Sequence, residues 1–222
     1  MTQERQGLLA MVERAKPIWQ ESYQSNFIQE IQAGSLDQGR LVNYLIQDQL
    51  FLAAYARFAG QAMALAPTME DLRFYYSTLS YLADTGNDSA DSWQQQFLRE
   101  QGVNLDDYDQ ENLKPATKEL IAAMQSIVAG GRAEEMMVSL FPCLVSYSYI
   151  FQLVADHADL SAENIYADFF KDYATKEYQL ACQRWLTYGQ QYLEKRQAVD
   201  DYKLENIFLR VSRLETLFWQ SF

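Results

Sequence analysis

Asp48, Glu215 and Cys143 carry reactive side chains at positions where helical spacing predicts a buried apolar residue. Around Asp48 the residues recurring at three and four positions apart are Leu41, Tyr44, Leu45, Phe51, Leu52 and Tyr55, so the carboxylate falls in the middle of a core-facing stripe. Glu215 interrupts a second stripe, Leu204, Phe208, Val211 and Phe218. Cys143 shares a third with Met136, Leu140, Tyr147 and Phe151. A thiol in such a place can serve as a covalent nucleophile. Inward carboxyls hold their protons more tightly than exposed ones and suit acid–base work near neutral pH. The plainer readings are a carboxylate held by a Tyr, Arg or backbone donor, and a cysteine that is only a small apolar filler. Two inward carboxylates with no cation in their stripes point instead to a shared polar pocket.

These residues need helices to aim them, and the sequence is helical throughout. No sustained period-two alternation or hairpin dipeptide occurs, and only four prolines and nine glycines punctuate the chain. Spacing predicts a helix over 8–24 with a break or restart at Pro17, and a short one over 27–33. Ser35 and Gln38 have the form of a capping box opening a long helix over 36–65. Thr68, with Asp71 three residues on, caps the next, which runs towards 101 with a bend near Gly86 and Asn87. Residues 102–113 read as a polar connection. Pro115 starts a helix that stops at Gly130 and Gly131. The cysteine-bearing helix covers 132–157 and is expected to kink at Pro142, which lacks an N–H for the carbonyl of Val138. Ser161 caps a short helix to 173, Thr175 opens one to 195, and the last covers 200–222. The expectation is one all-α domain, 1–222, of roughly eight to ten helices.

Bulk properties exclude several classes. A chain of 222 residues buries a large core without disulfides. The net charge of −12 repels phosphate, which argues against nucleic acid and against anionic membranes. Cys143 and Cys182 form no CxxC pair and His157 is the sole histidine, so a Cys/His metal site is not expected. Cys182 reads as structural and His157 as solvated. The four tryptophans read as packing residues. The opening segment mixes charges with apolar residues, unlike a signal peptide. No run of about 18 uncharged apolar residues is recognised, so no membrane span is expected. The expected compartment is the cytoplasm, with both thiols reduced.

Four motifs together resemble the TenA (thiaminase II) family. They are Leu45-Ile46-Gln47-Asp48; Leu140-Phe141-Pro142-Cys143 with Tyr147; Ile165-Tyr166 with Phe169 and Tyr173; and Glu215-Thr216-Leu217-Phe218-Trp219. Their order and spacing carry the resemblance over nearly the whole chain from Pro17 onward. It implies a heme-oxygenase-like helical fold, a homo-oligomer (tetramer or dimer), and no metal, heme or other cofactor. It also implies hydrolysis of thiamin, or of degraded thiamin such as the aminomethyl pyrimidine, to hydroxymethyl pyrimidine for thiamin salvage. On that resemblance Cys143 adds to the pyrimidine ring and Glu215 shuttles protons. Asp48 accepts from the exocyclic amine, Tyr147 stacks on or borders the ring, and Tyr173 bonds a ring nitrogen.

Two positions depart from the family pattern. Phe51 and Leu120 stand where it commonly has tyrosine, so two polar contacts are lost and substrate discrimination is expected to change. Three other readings follow. The first is the same mechanism on a different aminopyrimidine or amine. The second is a non-catalytic pyrimidine-binding or regulatory protein. The third is a heme enzyme, by fold analogy alone, which His157 fits poorly so late in the chain.

Overall fold

In the computed structural model, residues 7–83, 93–157, 164–196 and 200–222 are described. Among them the chain forms α-helices and two 3-10 turns, with no strand. The helices are α1 (Leu8–Tyr23), α2 (Asn26–Gln32), α3 (Gln38–Ala64), α4 (Met69–Ala83) and α5 (Trp93–Glu100). After the connection, which holds the 3-10 turns, come α6 (Pro115–Ala129), α7 (Ala133–His157), α8 (Ala167–Ala174), α9 (Lys176–Lys195) and α10 (Asp201–Gln220). The expected bend at Gly86 and Asn87 and the expected cap at Ser161 lie outside the described residues.

Local chemistry explains most of the boundaries. Asp71 N–H donates to Thr68 Oγ1 and Thr68 N–H to Asp71 Oδ2, each 3.1 Å, so the expected capping box opens α4. Thr175 caps α9 as expected, accepting from Tyr178 N–H. Two expectations fail. Asp37, not Ser35, caps α3, and its Oδ1 accepts from Arg40 N–H at 3.0 Å. Ser35 is already committed to ending α2. Its N–H bonds to Glu30 O and that of Gly34 to Ile31 O, while Gly34 takes φ +68°, a conformation that suits glycine. Nor does Pro17 break α1. Pro17 and Glu13, whose carbonyl would have paired with residue 17, are both exposed, so water can serve that carbonyl. The opposite face, with Met11, Ala15, Ile18 and Trp19, is buried and holds the helix in one piece.

The core is built on α7, which packs against α1, α2, α3, α6, α8, α9 and α10. Its closest companion is α10, which also packs on α1 and α6. Of the described helices, α7 alone is long and apolar enough to cross a membrane, contrary to the expectation that no segment qualifies. Serines and tyrosines interrupt its apolar run, but no charged residue lies between Met136 and Ala155. Most of that stretch is covered by other helices, so its apolarity serves the core. Each large side chain buried there stabilises the fold by about 1.5–3 kcal/mol, which leaves room for a few costly polar groups among them. Close approach matters as well. A Cβ on Gly189 of α9 would fall 2.5 Å from Phe141 Cζ and 2.6 Å from Leu8 Cδ2, so any larger residue would force these side chains to shift where α9 seats against α7 and α1.

Gln47, the neighbour of Asp48, fixes the connection to α6. Its Nε2 donates to Asn112 O (2.9 Å), and its Oε1 accepts from Lys114 N–H and Thr117 Oγ1 (2.8 Å each). A buried amide with three bonds of this kind holds α3 in register with α6.

Candidate active site

The inward stripes of α3, α7 and α10 meet. Asp48 is 5% exposed and Glu215 3%, so both carboxyls are buried as their spacing predicts. Tyr147 donates its hydroxyl to Asp48 Oδ1 at 3.2 Å and lies 3.1 Å, oxygen to oxygen, from Tyr44. Tyr44 also hydrogen-bonds the Asp48 carboxyl. Burial raises the Asp48 pKa to about 7, with the two tyrosine hydroxyls pulling the other way. Across the site the Cys143 thiol and the Glu215 carboxyl share a hydrogen bond. Burial raises Glu215 to about 8, opposed by Cys143 and by the nearby Ser146 hydroxyl. Burial, then the Glu215 charge, pushes the Cys143 thiol well up, and Asp48 adds to it. The thiol and both acids therefore act on one another.

Aromatic rings wall this cluster. Tyr147 has its ring centroid 5.0 Å from that of Trp219 and 5.3 Å from that of Tyr173. Tyr44 stacks on Trp219 at 5.0 Å, and Tyr173 on Phe151 at 4.9 Å. Phe51 touches Tyr55 and Phe218. Cys143 and Tyr147, four apart on one face of α7, keep partial exposure, although Pro142, Leu144, Ser146 and Ser148 around them are buried. Tyr173 is part-exposed too. Residual access along that face leaves the thiol and two of the ring neighbours partly reachable from outside.

The turn around Pro142 is braced from outside, and α7 continues through the proline. The Tyr55 hydroxyl donates to Leu140 O at 2.8 Å. Leu144 O accepts from the Tyr178 hydroxyl (3.0 Å) and the Cys182 thiol (3.4 Å). Cys182 is thus a buried structural donor. His157 is exposed, with Nδ1 2.7 Å from Leu153 O at the end of α7. Leu120 is 1% exposed on α6, which packs on both α3 and α10.

Several contributors escaped the stripe reading. Tyr44 sits four residues before Asp48 on the same face, and that spacing could have flagged it. Ser146 lies three after Cys143 and offers the same clue. Trp219 was read as packing only, yet it backs both Tyr44 and Tyr147.

A helical bundle with a thiol, an acid of raised pKa and a second carboxyl around an aromatic-walled space has the composition of a small-molecule enzyme pocket. The chain belongs to the TENA/THI-4/PQQC family, whose sequence pattern matches residues 12–222. It is 25% identical to an aminopyrimidine aminohydrolase of Halalkalibacterium halodurans, over 95% of this chain and 92% of that one. It is 26% identical to a thiamine biosynthesis protein of Saccharomyces cerevisiae, over 93% of this chain and 36% of the yeast protein. A solved structure of a TenA family transcription regulator from Silicibacter superposes with a TM-score of 0.83 at 21% identity, covering 98% of this chain and 97% of that one. The all-helical fold expected from the sequence is the fold of these neighbours.

Proposed function

We propose that this chain is an aminopyrimidine aminohydrolase of the thiaminase II type. It cleaves the methylene–nitrogen bond of thiamin or of the aminomethyl pyrimidine and releases hydroxymethyl pyrimidine. The observation that carries this reading is the Cys143 thiol set against a carboxyl whose pKa is near 8. The names of the related hydrolases support it.

At neutral pH the ionised fraction of Glu215 takes the proton of Cys143, and the thiolate adds to the pyrimidine ring. Electron density gained by the ring expels the amine from the methylene, and Glu215 returns the proton to the leaving nitrogen. An acid near 8 both accepts and donates efficiently at this pH. Asp48 takes the exocyclic amine on one oxygen while Tyr147 occupies Oδ1. Tyr147 and Tyr173 border the ring and Tyr173 faces a ring nitrogen. No cofactor is needed for these steps. A cytoplasmic homo-oligomer accompanies this reading.

The direct test is incubation with thiamin and with aminomethyl pyrimidine, followed by mass detection of the hydroxymethyl product. A ligand-induced rise in Tm with no product from either would point to a binding or regulatory protein.

Phe51 and Leu120 favour a variant of this reading, in which thiamin itself is a poor substrate. Both are buried and apolar, 5% and 1% exposed, so neither offers a hydrogen bond. The double variant Phe51→Tyr with Leu120→Tyr is expected to raise kcat/KM for thiamin by roughly tenfold, the worth of one recovered hydrogen bond. Steady-state kinetics on both proteins check this, and an unchanged value would locate the substrate preference elsewhere in the pocket.

A further inference from the structure

Tyr44 of α3 is fully buried inside a cage of rings. It stacks on Trp219 at 5.0 Å and meets Phe27 at 5.0 Å, Phe222 at 5.5 Å, and Phe169 and Phe218 at 5.7 Å each. A phenylalanine would make the same ring contacts. What the tyrosine adds is a hydroxyl, which destabilises such a cage unless it is hydrogen-bonded. Among the described residues its partners are the Tyr147 hydroxyl, 3.1 Å away, and the Asp48 carboxyl. Tyr147 also donates to Asp48 Oδ1. Two phenols thus converge on one buried carboxyl. Burial drives Asp48 towards its protonated form and the two hydroxyls oppose it, with no cation among the groups acting on it. Lys114, at the start of α6, lies over the Phe222 ring at 4.8 Å instead. The other titratable groups facing this corner are Cys143 of α7, Tyr173 of α8 and Glu215 of α10, all acids. None from α4 or α5 acts on Asp48 among the described residues.

We infer that the Tyr44 hydroxyl makes the site select a pyrimidine with an exocyclic amine over one with an oxo group there, which makes Tyr44 a specificity-determining positioning residue acting through Asp48. The inference rests on the aminohydrolase reading, in which Asp48 meets that amine. The amine and the oxo group differ by a donor replaced with an acceptor at one atom. An ionised carboxyl only accepts hydrogen bonds, so it pairs with the amine N–H and repels a carbonyl oxygen. A protonated carboxyl also donates, so it pairs with the carbonyl as well. Asp48 titrates at about pH 7, where both forms are populated. Donation from Tyr44 tips that balance towards the ionised acceptor. Tyr44 is shut away by its ring cage, so it acts on a ligand only through Asp48 and Tyr147.

The test measures Kd by calorimetry for hydroxymethyl pyrimidine and for its oxo analogue, in which oxygen replaces the exocyclic amine, between pH 6 and 8.5. The unmodified chain is expected to prefer the amine, and more strongly as pH rises. Tyr44→Phe keeps every ring contact. It is expected to lower that preference about tenfold at each pH, the effect of a one-unit rise in the Asp48 pKa, with Tm nearly unchanged. Titration of the ligands and of Glu215 is common to both proteins and cancels in the comparison. In an Asp48→Asn background the same substitution is expected to leave the preference where it was, because an amide does not titrate. A packing role would weaken both ligands equally. An unchanged preference in Tyr44→Phe, or an equal loss in the Asn background, therefore overturns the inference while the aminohydrolase reading stands. Absence of hydroxymethyl product when the unmodified chain is given aminomethyl pyrimidine overturns both.

Discussion

Cys143→Ser is expected to lower release of hydroxymethyl pyrimidine by roughly 10³-fold or more, with the helical content and Tm nearly unchanged. The serine hydroxyl keeps the size and the contact to Glu215, so packing around α7 is preserved. What disappears is the nucleophile. A serine hydroxyl is far less acidic than even this raised thiol, and Glu215 near 8 cannot ionise it. Single-turnover assays with mass detection, beside circular dichroism melts, separate the two effects. Turnover within tenfold of the unmodified chain would remove Cys143 from the chemistry and leave it a cavity-lining thiol.

Glu215→Gln is expected to abolish turnover and stabilise the fold together. The proton shuttle is worth about 10²–10⁴ in rate, and glutamine carries none. The stability effect follows from linkage. Burial raises the folded pKa from the usual 4.5 to about 8. Below 4.5 folded and unfolded chains both hold this proton, and the group contributes no pH dependence. Between 4.5 and 8 the unfolded chain has released it and the folded chain has not. Stability therefore falls with rising pH, by about 1.4 kcal/mol per unit. Above 8 the loss is complete. The Gln variant escapes this titration, so its Tm advantage should be small at pH 5 and largest at pH 8 and above. Asp48, raised to about 7, adds a parallel decline in both proteins that cancels in their difference. A Tm difference independent of pH between 5 and 8.5 would mean that Glu215 is ionised in the fold and that no raised-pKa acid faces Cys143.

In the proposed mechanism the proton passed from Cys143 to the leaving amine travels through Glu215, while Asp48 is engaged by Tyr147 and Tyr44. Tyr44 and Tyr147 hold Asp48, and their hydroxyls are themselves pushed up by burial and by its charge. They remain donors at every pH of interest. On the proposed reading, recognition falls to Asp48 on α3 and the reaction to Cys143 and Glu215 between α7 and α10.

The stripes on α3, α7 and α10 were legible because period 3.6 assigns each residue a face, and Asp48, Cys143 and Glu215 fall on inward faces by counting alone. The capping box at Thr68 and Asp71 was legible for the same reason, since both partners lie within one turn. Ser35 misled because two helix ends compete for the same few residues, and Gly34 claimed it for the end of α2. Pro17 misled because the cost of an unpaired carbonyl depends on whether water reaches it. Tertiary structure alone decided that Glu215 faces Cys143 while Asp48 faces Tyr147 and Tyr44. Helical periodicity sets the direction of a side chain but not its distance to another helix. That distance follows from interhelix packing, as where Gly189 admits Phe141 and Leu8, and the same packing desolvates the acids and raises their pKa values.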